Sequence, residues 1–309
     1  MSTPTSELGA PGGGGRGVML TAHGSVDRLD ELPEFLLRIR RGRPVPEELL
    51  NEVRRRYAQI GGSPFLSFTQ RQAELLSQSL DLPVFVGMRL SRPGLEDALL
   101  AAQHAGVASL VVLPLAPYSV HVYTDAAESA RALSGAQTKL VPVAAWGEEP
   151  DFIEPHVSAL RAAVGDAARQ TAIIFSVHSL PIRVAASDPY VGLVQASARA
   201  ISEQLGSPVS LAFQSPGRDG GNWLSPDIHQ ALRAARRQGA RRVVVDPLGF
   251  VCDHLETLYD LDIEARAWAS ELGLEFSRVP ALNDSPQLTK ALASVALRAF
   301  AQAPSPQPQ

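Results

Sequence analysis

Short apolar runs rich in β-branched residues alternate along this chain with longer stretches whose apolar positions recur every three or four residues. The runs at 18–22, 84–88, 110–113, 140–143, 172–177, 209–213, 242–246 and 275–279 predict strands. The stretches 46–59, 70–80, 94–105, 124–134, 151–166, 190–205, 226–238, 255–271 and 286–301 predict helices. Ser225-Pro226 opens one of them, and Gly206, Gly239 and Gly273 follow others. Strands that are apolar throughout and alternate with helices predict parallel sheets covered on both faces.

The pattern also repeats. Met19-Leu20-Thr21-Ala22-His23-Gly24-Ser25 aligns with Ile174-Phe175-Ser176-Val177-His178-Ser179-Leu180, each a strand ending in a hydroxyl residue, a small apolar residue and a histidine. Val112-Leu113-Pro114-Leu115 aligns with Val245-Asp246-Pro247-Leu248, and His121 then meets His254. Two matches in the same order predict two related α/β halves, 17–148 and 149–302. Residues 25–80 are extra to the first half. Open α/β sheets bind ligands beyond the carboxyl ends of their strands, so this insertion is expected to form one wall of a cleft.

Composition narrows the class. A chain of 309 residues with 45% hydrophobic content can bury a real core. Its single cysteine excludes an intrachain disulfide, a four-cysteine zinc site and a cysteine-ligated iron–sulfur cluster, and fits a reducing compartment. A net charge of −4 argues against general affinity for nucleic-acid phosphates. No apolar run approaches the ~18–20 residues of a membrane span. Residues 1–16 lack the apolar segment of a secretory signal, so a cytoplasmic protein is expected. Residues 1–16, with five of the 24 glycines, and the Pro/Gln-rich 303–309 are expected to be disordered tails.

Three groups of side chains carry potential chemistry. His178 ends a buried strand, where an imidazole serves either as base or metal ligand, or as a loop cap bonded to backbone. Glu256, Asp260 and Glu264 stand at i, i+4 and i+8, on one helical face. Such like charges cost an isolated helix ~0.2–0.5 kcal/mol per pair, so the row is either a solvated surface or a path for a hydrated cation. Arg40, Arg41, Arg43 and Arg56 crowd the insertion and Arg89 follows a strand, with Ser63 in a tight turn. They form either a solvated basic face or a grip for an anionic ligand through guanidinium forks. Cys252 reads as a small buried side chain, His121 and His254 as structural, and Trp146, Trp223 and Trp268 as core or pocket wall.

Taken together, these stretches resemble the ferrochelatase family, especially the short bacterial type that acts on coproporphyrin III. The matching strings are Leu20-Thr21-Ala22-His23-Gly24, Ile39-Arg40-Arg41-Gly42-Arg43, Arg56-Tyr57-Ala58-Gln59-Ile60-Gly61-Gly62-Ser63-Pro64, Ser176-Val177-His178-Ser179-Leu180-Pro181, Asp188-Pro189-Tyr190, Phe213-Gln214-Ser215, Trp223-Leu224-Ser225-Pro226-Asp227, and the run from Gly249 to Asp260. The fold this implies is class II chelatase-like: two similar Rossmann-like, doubly wound halves with a cleft between them. The implied activity is insertion of Fe²⁺, as substrate, into coproporphyrin III in haem biosynthesis, with no permanently bound cofactor. By resemblance His178 and Glu256 face the porphyrin centre. Asp260 and Glu264 form an acidic relay, and Arg40, Arg56, Ser63 and Tyr123, with Arg41 and Arg89 behind them, hold propionates.

His23 stands where many coproporphyrin-type members carry an iron-ligating tyrosine, which adds it to the implied metal-facing set. The loop 117–123 is shorter than in relatives. A monomer is expected, and the enzymes on either side in haem biosynthesis are the protein partners the resemblance suggests. The competing readings are a protoporphyrin IX ferrochelatase, a cobalt or nickel chelatase, a non-catalytic haem-binding protein, and a two-lobed receptor for a small ligand.

Overall fold

The computed structural model describes residues 15–217 and 221–303, with Arg169 as backbone only. Most of the two expected tails therefore lies outside the described residues. The first half runs β1 (Arg16–Ala22), α1 (Leu32–Ile39), α2 (Glu47–Ile60), α3 (Phe65–Leu80), β2 (Val84–Met88), α4 (Leu95–His104), β3 (Ser109–Pro114), α5 (Val120–Ser134) and β4 (Lys139–Pro142). The second half opens with α6 (Pro150–Val164), a 3₁₀ turn (Gly165–Gln170), β5 (Thr171–His178), α7 (Ile182–Ala185), α8 (Tyr190–Leu205), β6 (Val209–Gln214) and α9 (Ile228–Arg237). It closes with β7 (Arg242–Asp246), α10 (Leu255–Leu258), a π-helical turn (Asp260–Ala265), α11 (Arg266–Glu271), β8 (Glu275–Arg278) and α12 (Pro286–Gln302).

The strands form two four-stranded parallel sheets, ordered β2-β1-β3-β4 and β6-β5-β7-β8. The two orders are the same, so the short repeats reflect a duplicated topology, with β1 answering β5 and β3 answering β7. The central strands are buried along almost their whole length, as sheets covered on both faces require. In each sheet the strand order reverses direction beside the first strand, which places a switch point between β1 and β3 and another between β5 and β7.

Several boundaries differ from the pattern-based ones. The first strand starts at Arg16, inside the expected tail, because the Gly15 carbonyl accepts from Ala108 N (2.6 Å) and Ser109 N (2.7 Å) while the Arg16 guanidinium lies 5.3 Å from the Phe300 ring. The helix expected to open at Pro226 starts at Ile228. Asp227 is its cap: the carboxylate accepts from Gln230 N at 2.7 Å, and the Gln230 side chain accepts from Asp227 N. The inserted segment divides in two. Its helices α1 and α2 close a small core of Val26, Leu32, Phe35, Leu36 and Tyr57 against Leu255 of the second half, as a cleft wall should. Helix α3 instead packs under β2 and against α12. The last helix thus returns to the first half, although sequence order places it in the second.

The largest departure is at 255–271. The periodicity there predicts a single helix, but the chain forms α10, a π turn and α11. The Tyr259 carbonyl accepts from both Ile263 N and Glu264 N, which inserts one residue into the turn. The acidic residues here divide between two arginines. Asp260 and Glu264 reach Arg56, while Asp262 reaches Arg278 at 2.7 Å. Ion pairs to other elements thereby offset the like-charge repulsion that an uninterrupted helix would keep.

Candidate active site

Loops at the carboxyl ends of β1, β3, β5 and β7 surround one cavity of about 510 Å³. This is where the two switch points meet, and its volume is in the range of small-molecule sites. His23 and Ser25 come from the loop after β1, Tyr118 and Tyr123 from the segment after β3, His178 from the end of β5, and Phe250, His254 and Glu256 from the segment after β7. Gly249 is required at its position. A Cβ there would lie 2.8 Å from Val177 Cα, so the loop can cross the end of β5 only without a side chain.

His178 and Glu256, 78 residues apart, meet in this wall: His178 Nδ1 donates to Glu256 Oε2 at 3.1 Å. Their side chains are 43% and 28% exposed, and both line the cavity. With Nδ1 committed, Nε2 is the ring nitrogen left to meet a ligand. The Tyr190 hydroxyl donates to the His178 carbonyl at 2.9 Å and fixes the strand end.

Charge couples the pair. Burial works to lower the His178 pKa, but the Glu256 carboxylate, by charge and hydrogen bond, raises it above the ordinary imidazole value. Burial works to raise the Glu256 pKa, and the His178 charge and hydrogen bond, with His254 and Ser215, lower it below the usual carboxylate range. Asp260 stands behind. Burial and the Glu256 charge push it up to about 7, against the Ser215 hydrogen bond and Arg56. Ser215, whose φ of 57° puts it in the left-handed region, donates from Oγ to Asp260 Oδ2 at 2.9 Å. A carboxyl that titrates near neutrality beside one that stays ionised is an arrangement that can pass protons. The His23 pKa is lowered, by desolvation first and by the charges of Arg89 and His178, with Glu256 opposing.

The expected basic grip is mostly elsewhere. Arg89 is the only Arg or Lys among the described residues that line the cavity. Arg56 does not line it: the guanidinium stacks 4.7 Å from the Tyr259 ring and pairs with Glu52 (2.8 Å), Asp260 (3.2 Å) and Glu264 (3.4 Å). Three carboxylates within reach hold it there through charge-assisted hydrogen bonds. Arg40 Nε donates to the Pro44 carbonyl within its own turn, and Arg41 is exposed with φ 55°. Ser63 is buried and accepts from Phe65 N at the start of α3. Tyr123 does line the cavity, its phenol pushed up to about 12 by burial.

Among the described residues, no three His, Cys, Asp or Glu side chains gather closely enough to hold a metal ion. The residues expected from the sequence to face the metal (His178, Glu256, Asp260, Glu264 and His23) stand as a hydrogen-bonded dyad, two carboxylates bonded to Arg56 behind it, and a histidine on the same cavity. His254 Nδ1 donates to the Cys252 carbonyl at 3.1 Å, with Phe250 and Phe65 5.0 and 5.7 Å from its ring. Its place beside Glu256, like the contacts of Tyr190 and Ser215, does not follow from pattern reasoning. For Tyr190 and Ser215 the available signal is membership of the matching strings around 188–190 and 213–215.

The family model named Ferrochelatase matches residues 15–299. The ferrochelatase of Acidobacterium capsulatum is 34% identical over 304 residues, covering 90% of this chain and 93% of that protein. The coproporphyrin III ferrochelatase of Anoxybacillus flavithermus is 35% identical over 300 residues, covering 91% and 95%. In fold alone, the chain is similar to the structure of SirB from Bacillus subtilis with Fe³⁺, at a TM-score of 0.58 and 11% identity over 92% of this chain and 95% of that one.

Proposed function

This chain belongs to the ferrochelatase family, and from that premise we propose that it inserts Fe²⁺ into coproporphyrin III. The observation that carries the reading is the His178–Glu256 pair on the cavity wall. A free-base porphyrin must lose two pyrrole N–H protons as the metal enters. His178 Nε2 accepts one, and Glu256, held ionised at Nδ1, stabilises the imidazolium that results. The second passes by way of Glu256, the carboxylate on the cavity wall, to Asp260 behind it, which burial and the Glu256 charge push up to about 7. Bending the macrocycle so that its lone pairs face the metal draws on binding energy from the apolar walls.

Relatives named coproporphyrin III ferrochelatases support the tetracarboxylate substrate. In that reading Arg89 and Tyr123 hold propionates in the cavity, and Arg40 and Arg41 stand further out on the inserted segment. The presence of one arginine in the cavity favours a second reading, protoporphyrin IX, which carries two propionates instead of four. Anaerobic incubation with Fe²⁺ and each porphyrin, followed by absorption, separates them. We expect kcat/KM for coproporphyrin III to be at least tenfold higher, and Arg89→Ala to raise its KM about tenfold, the value of one charged hydrogen bond. Equal turnover of both porphyrins would remove the propionate-based reading.

A further inference from the structure

Gln214 is the last residue of β6 and the register partner of His178 on β5. Parallel partners present their side chains to the same face, and Ser176, two residues before His178, shares it. The Gln214 side chain is buried, with the residue 3% exposed, yet both ends of its amide are bonded. Nε2 donates to the main-chain carbonyl of Glu256 at 2.9 Å, and Oε1 accepts from Ser176 Oγ. The amide can lie only one way, because a carbonyl accepts and never donates. Nε2 must face Glu256, which leaves Oε1 for the serine hydroxyl. The Gln214 carbonyl in turn accepts from Ser179 N at 2.8 Å, directly after His178.

This single residue therefore ties the strand that carries His178 to the turn that carries Glu256. It does so where a four-residue helix gives way to the π turn. We propose that Gln214 is a positioning residue for metal insertion, acting through Glu256: its amide bridge from Ser176 to the Glu256 carbonyl sets the carboxylate against His178. A fully satisfied buried polar bridge specifies one geometry, whereas an apolar side chain of the same volume would fill the space without fixing the turn. Gln214 does not line the cavity, so it is not a contact for porphyrin.

The inference rests on the chelatase reading and is tested with the full-length protein, Fe²⁺ and coproporphyrin III under anaerobic conditions. Gln214→Met keeps volume and loses both hydrogen bonds. Gln214→Glu keeps shape and the Ser176 acceptor while opposing an oxygen to the Glu256 carbonyl. Both are expected to lower kcat tenfold or more, with KM for porphyrin and for Fe²⁺ within twofold of the parent, after active sites are counted by porphyrin-binding titration. In a Glu256→Gln background, adding Gln214→Met should cost less than a further twofold, because the group being positioned has already lost its function. A kcat per active site within twofold of the parent in both single variants overturns the proposal, whatever happens to the melting temperature. So does a full tenfold additional loss in the Glu256→Gln background, which would mean that Gln214 acts on something else. A parent protein that inserts no metal removes the chelatase reading and this inference together, whereas an active parent with unimpaired Gln214 variants removes the inference alone.

Discussion

Replacing His178 by alanine is expected to reduce metal insertion by about 10²–10⁴-fold, the usual contribution of a positioned general base. Among the described residues, only this imidazole both reaches the cavity and is hydrogen-bonded to a carboxylate there, with Nδ1 on Glu256 at 3.1 Å. His23 lines the same cavity, but Glu256 makes its hydrogen bond to His178 and not to it. The variant should stay folded. The side chain is 43% exposed, so its loss opens little new void, and the Tyr190 hydroxyl bonds the backbone carbonyl that alanine retains. Porphyrin binding, read by fluorescence quenching, should persist while absorption shows no metalloporphyrin. Near-normal turnover by a folded His178→Ala variant would take the imidazole out of the reaction.

Glu256→Gln is expected to cost 10²-fold or more, and to change the pH dependence in a stated direction. In the parent, burial lowers the His178 pKa and Glu256 more than restores it, so the net shift is upward. A base works only when unprotonated, so the parent rate should climb as pH rises through that raised value and then level off. The glutamine amide carries no charge. With the carboxylate removed, burial remains as the main influence, and the acid limb of the residual activity should move to lower pH. Profiles of kcat/KM against pH for both proteins check this. An acid limb that stays in place, or moves upward, would show that the titrating group is not the imidazole paired with Glu256.

The sequence and the structure agree most closely where the determinants are local. The eight strands fall within one or two residues of the apolar runs, since short runs of apolar and β-branched residues suit a sheet covered on both faces. The alignment of Thr21-Ala22-His23 with Ser176-Val177-His178 marks the duplication that the two sheet orders display. Agreement fails where distant parts compete. A periodic pattern over 255–271 reads as one helix, and no local rule foresees that Arg278 and Arg56 pull its acidic residues in different directions. Likewise Arg40, Arg41 and Arg56 form one basic cluster in the sequence, yet in the fold Arg40 bonds its own turn, Arg56 pairs with carboxylates and Arg41 stays exposed.

By itself, then, the chain's hydrophobic periodicity determined the α/β architecture, its short repeats pointed to two paired halves, and its resemblance to the ferrochelatase family determined which chemistry to look for. Only the tertiary structure decided that His178 touches Glu256, that Gln214 spans the gap behind them, and that Arg56 serves carboxylates 204 and 208 residues away instead of the cavity. The physical reason is one of range. Backbone preferences and burial act over a few neighbouring residues and are written in the local pattern. A long charged side chain settles on whichever partner the completed fold brings within about 3 Å, and that choice exists only after the halves have packed.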